Sequence, residues 1–359
     1  MANLTRRRLF VGTVAALAAA AAERTAAQVL PDAERVAAAR RLTAGALTID
    51  MHSHEGRFIR ADTVFEPVAE PMRAGGMAVA CLAVVADSPT HRVFPDRRIH
   101  PTREPDPGEL YAWSRAGFTR LLRLAQQQGL TIIGNTAQLR AAPGSGPAIV
   151  VAAEGADFLE GRVERLDEMR TQFGLRHLQL VHYRPNELGD IQTENPVRGG
   201  LTDFGVDVVR ACNRLGVVVD VAHGTLDLVK RAAAATVRPL VLSHTSLTPM
   251  PGTHSRQISP DHARIVAATG GVIGIWPPSS IFASLDAMSE NVARLADIVG
   301  TDHVGLGSDM RGLTTASVFP SYRELPAVAE RLLARGFAEA DVGKILGANY
   351  ARVFTQTVG

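Results

Sequence analysis

The stretch Leu47-Thr48-Ile49-Asp50-Met51-His52-Ser53-His54 reads as a buried strand that ends in two imidazoles separated by one residue. Side chains at positions i and i+2 of a strand point to the same face of the sheet. His52 and His54 can therefore meet at one point, where their neutral nitrogens suit zinc and its first-row neighbours. Taken alone, the stretch fits a surface or hydrogen-bonded core pair of histidines equally well.

The same arrangement recurs along the chain. Five further apolar runs end at a residue that can bind a metal or transfer a proton, and these residues are Glu154, His182, His223, His244 and Asp309. Runs that stay apolar without alternation are typical of strands buried on both faces, as in parallel sheets covered by helices. Segments between the runs, such as Phe204 to Leu215, repeat apolar residues at helical spacing.

Two more apolar runs, Met77 to Ala86 and Gly271 to Trp276, have no obvious ligand at their ends. With them the chain holds about eight strand–helix units, which predicts an α/β fold of the (β/α)8 TIM-barrel type. In that fold the active site lies at the C-terminal ends of the strands, where this chain would place its histidines and carboxylates. The segment Asp87 to Pro107 is rich in Pro and Arg and predicts an excursion over the barrel mouth.

Residues 1–27 have the layout of an export signal. Arg6 to Arg8 precede Leu9-Phe10 and a short apolar stretch that ends in small residues. The Arg-Arg-Leu-Phe order resembles a twin-arginine signal, which predicts export to the periplasm with that export machinery as a partner. A membrane anchor is the alternative, although the apolar stretch is shorter than a bilayer requires. We expect cleavage between about Ala22 and Gln28. We also expect residues 28–359 to form a single domain, because no linker interrupts the pattern of strands and helices.

Charge and cysteine usage narrow the function classes. The formal net charge of +2 falls towards zero once the arginine-rich signal is removed. A basic patch for nucleic acid is therefore not supported. Cys81 and Cys212 lie in apolar stretches and are most simply buried thiols, with a disulfide left open for an oxidising compartment.

The histidines and one carboxylate suggest a two-metal site. Two cations that share a water lie about 3.5–4 Å apart, and a carboxylate can bridge them where an imidazole cannot. Glu154 is the natural bridge. His52 and His54 would hold one metal, and His223 with His244 would hold the other. The shared water, its pKa lowered towards neutrality, would be the nucleophile.

Three further residues can act on a substrate. Asp309 is placed to move protons or to orient the water. His182 is left for the substrate oxygen, where it could stabilise developing negative charge. Arg256 offers a fork that suits a carboxylate, with a solvated surface residue as the alternative. Asp50 is read as a supporting partner of His52.

The other histidines are set aside at this point. His91 and His100 lie in the long loop and could line the mouth, although histidines in loops are usually exposed. Four more lack an apolar run that would deliver them to the barrel rim: His177, His254, His262 and His303.

Several longer motifs resemble the membrane dipeptidases, peptidase family M19 of the amidohydrolase superfamily. The resemblance runs from about Ala46 to Phe354. It is carried by Met72-Arg73-Ala74-Gly75-Gly76, Ala153-Glu154-Gly155, Leu201-Thr202-Asp203-Phe204-Gly205, Asp220-Val221-Ala222-His223, Ser243-His244-Thr245-Ser246, His254-Ser255-Arg256-Gln257, Gly307-Ser308-Asp309 and Leu346-Gly347-Ala348-Asn349-Tyr350.

The resemblance implies a (β/α)8 barrel with two zinc ions that hydrolyses dipeptides through a metal-bridging hydroxide. It implies one zinc on His52, His54 and Glu154, and the other on Glu154, His223 and His244. It also implies that His182 and Arg256 contact substrate groups, and that Asp309 assists proton transfer or holds the substrate's amino group. Because members of the family are often dimers, a homodimer is expected as well.

One position departs from the family pattern. The family's first motif is usually His-x-Asp, and here His54 stands where the aspartate is expected. A neutral imidazole in place of a carboxylate removes one negative charge from the metal ligands. Two alternatives follow from this sequence: a metal hydrolase of the wider superfamily that acts on another small amide, lactone or ester, and a barrel that binds metal without turnover. The latter would require a lost catalytic group.

Overall fold

The computed structural model of the chain describes residues 30–60 and 62–359. The predicted export signal and its cleavage position lie outside these residues. Eight parallel strands follow one another around the molecule in chain order. They are β1 (Ile49–Ser53), β2 (Val79–Val85), β3 (Ala148–Glu154), β4 (Leu175–Gln179), β5 (Val218–Asp220), β6 (Val241–Thr245), β7 (Val272–Ile275) and β8 (Val304–Leu306).

Helices cover the outside of these strands. In the described part of the chain they are α1 (Asp32–Thr43), α2 (Ala69–Gly75), α3 (Glu109–Gln128), α4 (Thr136–Ala141), α5 (Glu164–Phe173), α6 (Asp203–Leu215), α7 (Leu226–Ala235), α8 (Pro260–Ala268), α9 (Leu285–Val299), α10 (Leu325–Ala334), α11 (Glu339–Gly343) and α12 (Asn349–Val358). A short strand, Thr131–Ile132, pairs with the start of β3.

Backbone hydrogen bonds join the two edges of the sheet. The N–H of Asp309 donates to the carbonyl of His52, and the N–H of His54 donates to the carbonyl of Met310, both at 2.9 Å. These bonds connect the end of β1 to the segment after β8. The predicted (β/α)8 barrel is therefore confirmed.

Continuous apolar runs form the strands because each strand packs on both of its faces. One core lies between the strands and the helices, and a second fills the barrel. Inside the barrel, Ile49, Val218 and Val241 pack against Tyr350 and Phe354 of α12, which closes the N-terminal end.

The predicted helix from Phe204 to Leu215 is confirmed as α6. Its first turn is capped by Thr202, whose hydroxyl accepts from the N–H of Gly205 at 3.0 Å. The helix ends at Gly216, whose φ of +66° is the left-handed conformation that glycine adopts readily. Cys212 on this helix and Cys81 on β2 are buried free thiols, so the alternative of a disulfide between them is not borne out.

The segment after β2 forms a two-stranded antiparallel hairpin, His91–Val93 with Ile99–Pro101. His100 contacts Glu194 at 2.6 Å, and the guanidinium of Arg98 donates to the carbonyl of His254 at 2.9 Å. The hairpin thus reaches loops that follow β4 and β6, which confirms the predicted excursion over the mouth. Among the described residues no helix is long and apolar enough to cross a membrane.

Candidate metal centre

A single buried carboxylate, Glu154, lies at the centre of five imidazoles at the C-terminal end of the barrel. The Nε2 atoms of all five lie 3.1–3.6 Å from its oxygens: His54 at 3.1 Å, His52 and His182 at 3.2 Å, His223 at 3.4 Å and His244 at 3.6 Å. Each of these side chains is at most 6% exposed. The structure therefore brings together all five residues that the sequence proposed as metal ligands, with His182 beside them.

The barrel topology explains this convergence. His52 and His244 lie within β1 and β6, and Glu154 is the last residue of β3. The other cluster residues follow the ends of β1, β4, β5 and β8 by one to three positions. They are His54, His182, His223 and Asp309. Parallel strands deliver their C-terminal ends to one rim, so side chains that are distant in sequence meet there.

The spacing of the nitrogens fits bound cations. Nε2 of His52 lies 3.2 Å from Nε2 of His54, and Nε2 of His223 lies 3.1 Å from Nε2 of His244. Two nitrogens at about 2.0–2.1 Å from one tetrahedral zinc would lie about 3.3 Å apart. Two facing imidazole pairs that share one carboxylate are thus a suitable donor set for two such ions.

Distance alone leaves one ligand open. Glu154 and His223 form a close group of potential ligand atoms with His182 as the third member. A second close group joins His52, His244 and Asp309. His182 and His244 are therefore both within reach of the ion nearest His223.

Electrostatics favour the ligand forms of most of these groups. Burial opposes a charge on Glu154, but the surrounding imidazoles, first His182 and then His52 and His54, hold its pKa well below its usual value. Burial lowers the pKa of His52, and it lowers the pKa of His223 and of His244 well below the ordinary value. The carboxylate is thus ionised and these imidazoles are neutral, which are the forms that bind metals.

His54 behaves differently from the other imidazoles. Burial opposes its protonation, yet the charge of Glu154 raises the pKa of His54 to about 9, and Asp309 adds to the effect. A cation would displace a proton from this ring when it binds. The ring is oriented by Nδ1, which lies 2.9 Å from the carbonyl of Ala83. In the same way Nδ1 of His244 lies 2.9 Å from the hydroxyl of Ser243.

Asp309 borders the cluster on the β8 side. Its Oδ1 lies 3.6 Å from Nε2 of His54. Burial and then the charge of Glu154 raise the pKa of Asp309 to about 7. Asp309 and His223 both have positive φ, +47° and +66°, a conformation that is uncommon outside glycine and often found at functional sites.

Asp50 contacts His52 as predicted, but through the backbone N–H and not through the imidazole. Its carboxylate accepts the backbone N–H of His52 at 3.2 Å, the N–H of Ser308 at 2.8 Å and the hydroxyl of Tyr322 at 2.8 Å. Asp50 instead fixes the backbone where β1 meets the segment after β8.

Arg256 presents one edge of its guanidinium without a protein partner. Nη1 donates to the side-chain oxygen of Gln192 at 2.8 Å, and the guanidinium carbon lies 5.2 Å above the ring of Trp276. Nε and Nη2 are shielded from solvent and have no hydrogen-bond partner among the described residues. The alternative of a solvated surface residue does not hold, because this edge is buried and free to bind an anion.

Sequence reasoning missed two residues of the site and misjudged two strand ends. Asp87 comes directly after the run from Met77 to Ala86, which was expected to lack a functional residue, and its carboxylate lies 2.7 Å from Nδ1 of His182. The rule that selected the other strand ends would have found it. His91 was expected to be an exposed loop residue, yet its side chain is only 12% exposed and lies 3.2 Å from Asp87.

The residue that follows the seventh strand also lies beside the site. Trp276 follows β7, and its ring lies 5.7 Å from that of His244 while Arg256 packs over it. An open cavity of about 350 Å³ borders His54. Its lining includes Arg57, Arg311 and Ser88.

The four histidines that do not follow an apolar run lie outside the cluster. His177 is buried inside the barrel between Asp220 and Tyr350, and His262 is buried on α8. His254 contacts Asn195, and His303 contacts the carbonyl of Gly271.

Known proteins resemble this chain in sequence and in fold. The dipeptidase verJ of Clonostachys rogersoniana is 30% identical over 188 residues, 51% of this chain and 48% of that protein. The dipeptidase aclJ of Aspergillus oryzae is 28% identical over 213 residues, 57% of this chain and 50% of that protein. The chain thus spans about half the length of these curated relatives.

Two solved structures share the fold. An amidohydrolase from Pseudomonas aeruginosa superposes with a TM-score of 0.71 at 21% identity, over 89% of this chain and 98% of that chain. A metallopeptidase from Rhodobacter sphaeroides was solved with a phosphinate mimic of the dipeptide L-Ala-D-Ala. It superposes with a TM-score of 0.72 at 20% identity, over 86% of this chain and 99% of that chain. The sequence model of the membrane dipeptidases matches residues 70–358, which include Glu154, His223 and His244 but not His52 and His54. The chain therefore belongs to the membrane dipeptidase family, peptidase family M19.

Proposed function

We propose that this protein is a zinc-dependent dipeptidase. The observation that carries the proposal is the ionised Glu154 between two imidazole pairs at the spacing of zinc ligands. His52, His54 and Glu154 would hold one ion, and Glu154, His223 and His244 the other. When bound, the zinc ions would lower the pKa of a water molecule and polarise the peptide carbonyl, and so would supply the nucleophile for hydrolysis.

The neighbouring side chains can bind and orient a dipeptide. The free Nε and Nη2 edge of Arg256 binds the C-terminal carboxylate in a bidentate manner. His182 directs Nε2 towards the reacting carbonyl oxygen and stabilises negative charge that develops there. Asp309, with a pKa of about 7, can accept a proton and return it to the leaving amine, or hold the substrate's amino group.

The relatives support this substrate class. Two curated relatives are named dipeptidases, and a solved structure of the same fold holds a dipeptide mimic. Their substrates are their own, and the barrel match by itself indicates only the fold. The unpartnered edge of Arg256 is this chain's own reason to expect a substrate with a free carboxylate.

Metal analysis and a matched substrate panel test the proposal. Protein purified without added metal should contain zinc and should cleave free dipeptides. The same dipeptides with an amidated C-terminus should react with a kcat/KM lower by about 10–100-fold, because a charged hydrogen bond contributes about 1.5–3 kcal/mol. A zinc-loaded sample that cleaves no free dipeptide would refute the proposal.

A second candidate keeps the same centre but changes the substrate to another small amide, lactone or ester. The observation that favours it is His54, an imidazole where the family usually has an aspartate. The substitution His54→Asp should then shift the substrate profile towards dipeptides. A uniform loss of activity on all substrates would count against this candidate. Metal binding without turnover is disfavoured because Glu154, His182, Asp309 and Arg256 are all present.

We also propose export through the twin-arginine pathway to the periplasm, and a homodimer in solution. N-terminal sequencing of exported protein should find a first residue between Ala22 and Gln28, and the presence of Met1 or Ala2 would contradict cleavage. Light scattering of the mature protein should give twice the mass of one chain.

A further inference from the structure

The imidazole of His182 is held at both of its nitrogens. Nδ1 lies 2.7 Å from Oδ1 of Asp87, and Nε2 lies 3.2 Å from Oε2 of Glu154. Asp87 is completely buried, and it follows β2 while His182 follows β4. A hydrogen bond across the interior of the barrel rim therefore sets the direction of this ring.

The carboxylate of Asp87 is itself fixed by other groups. Its Oδ2 accepts the backbone N–H of Tyr183 at 2.9 Å, and Nε2 of His91 lies 3.2 Å from its Oδ1. The ring of His91 stands nearly perpendicular to that of His182, with centroids 5.2 Å apart. Two hydrogen-bond donors, His182 and the Tyr183 N–H, thus hold one oxygen each, and His91 lies in ion-pair contact beside them, so the carboxylate has little freedom to turn.

This arrangement is a hydrogen-bonded pair rather than a further cation site. The 2.7 Å separation between Nδ1 of His182 and Asp87 is typical of a charge-assisted hydrogen bond. Two ligands of one tetrahedral zinc would lie about 3.3 Å apart. Asp87 therefore acts on the ring of His182 through a proton on Nδ1.

We propose that Asp87, next to His91, is a positioning residue that fixes the orientation of the His182 ring. The two ring nitrogens of histidine are distinct, and the partner of one decides what the other presents. With Nδ1 bound to Asp87, Nε2 faces the reacting carbonyl oxygen, and a ring with a proton on each nitrogen can donate from Nε2 as negative charge develops there. This inference rests on the proposed role of His182 at the substrate.

Asp87→Asn is the first test, because an amide keeps the size of the side chain but has only one acceptor oxygen. One of the two hydrogen-bond donors, Nδ1 of His182 or the N–H of Tyr183, must then face the amide NH2 group. We expect kcat to fall by about 10–100-fold, the usual effect of removing a partner that orients a functional histidine. Zinc content should be unchanged and KM should change by less than about threefold, because Asp87 touches neither metal nor substrate.

A double-mutant cycle separates positioning from a general structural role. In a His182→Gln background, Asp87→Asn should change kcat by less than about twofold, since the ring on which it acts is gone. Asp157→Asn is the matched control: this carboxylate is equally buried, follows β3 and contacts Arg184 and Asn186 but not His182. Its effect should be the same in both backgrounds.

Two outcomes of the cycle would overturn the proposal. One is an equal loss from Asp87→Asn with and without His182. The other is loss of zinc from His182→Gln, which would make His182 a ligand of the metal instead of a group that contacts the substrate.

A spectroscopic measurement gives the same answer without turnover. In zinc-loaded protein labelled with ¹⁵N-histidine, the His182 signals are identified by their absence in His182→Gln. We expect the Nδ1–H signal of His182 to show its hydrogen bond to Asp87 in the parent, and we expect this signal to move in Asp87→Asn but not in Asp157→Asn. An unchanged His182 in Asp87→Asn would refute the proposal. A failure to cleave dipeptides would refute the proposed function, but the NMR comparison would still test whether Asp87 positions the His182 ring.

Discussion

Two buried histidines, His177 in β4 and His182 just after it, each pair with a buried aspartate through one ring nitrogen. They differ in the group that the other ring nitrogen contacts. Inside the barrel, Nε2 of His177 lies 3.1 Å from Asp220 and Nδ1 lies 2.8 Å from the hydroxyl of Tyr350. At the mouth, Nδ1 of His182 lies 2.7 Å from Asp87, and Nε2 faces the carboxylate at the centre of the cluster.

The comparison separates structural histidines from functional ones. His177 uses both nitrogens on groups that belong to the fold, so it connects β4, β5 and the closing helix α12. His182 uses one nitrogen on the fold and leaves the other at a site that metal and substrate can reach. A buried Asp–His pair is therefore not evidence of function by itself, and the partner of the remaining nitrogen decides.

The largest effect should come from removing the group that His182 faces. Glu154→Gln takes away the charge that the surrounding imidazoles share, and an amide cannot bridge two cations. We expect zinc affinity to fall by more than about 100-fold, beyond the loss typical of a ligand's hydrogen-bonding partner, and turnover to become undetectable. Equilibrium dialysis and dipeptide assays measure both. Glu164→Gln on the exposed face of α5 is the control, and full zinc binding by Glu154→Gln would contradict the comparison.

Arg256 shows the same contrast within one guanidinium. Nη1 is tied to Gln192, while Nε and Nη2 have no partner among the described residues. Arg256→Lys keeps the charge but offers no fork, so kcat/KM for free dipeptides should fall by about 10–100-fold. Amidated dipeptides should lose much less. Arg264→Lys, at an exposed position on α8, should leave both rates unchanged, and an equal loss on both substrate types would show that Arg256 does not bind the carboxylate.

His177→Phe tests the structural side of the comparison. The substitution leaves Asp220 and Tyr350 without this partner inside the barrel, which should lower the free energy of unfolding by about 2–4 kcal/mol. Folded protein should keep its zinc and a kcat within about twofold of the parent. Urea denaturation followed by assays at low urea measures the two effects separately. A loss of turnover without a loss of stability would mean that His177 belongs to the site.

The fold and most of the site could be predicted from the sequence because both depend on one local signal. A continuous apolar run predicts a strand buried on both faces, and the residue at its end then lies on the barrel rim. That signal located Glu154, His223 and Asp309 without knowledge of any long-range contact. The same signal would have located Asp87, which stands one residue beyond a run that was considered empty.

The partners of these residues could not be predicted from local pattern. Asp50 follows the spacing of a His52 partner, yet its carboxylate meets only the backbone N–H of His52 and otherwise bonds Ser308 and Tyr322. Gln192 lies in a loop with no periodicity, and only the folded chain brings it to Arg256. Such contacts join loops from different strands, so their geometry depends on the whole barrel.

The smallest effect at neutral pH concerns His262, a buried imidazole on α8 whose Nε2 has no partner among the described residues. Burial, with the charges of Arg256 and Lys230, lowers its pKa from 6.5 to about 4. The unfolded chain therefore binds this proton below pH 6.5 while the native state does not, and stability falls as the pH drops towards 4, by about 3 kcal/mol in all. His262→Leu should match the parent at pH 7.5 and exceed its stability by about 2–3 kcal/mol at pH 4.5 in urea denaturation. If the difference in stability between His262→Leu and the parent is the same at both pH values, the buried imidazole causes no loss of stability that depends on pH. The rule drawn from His177 and His182 would then not extend beyond the Asp–His pairs.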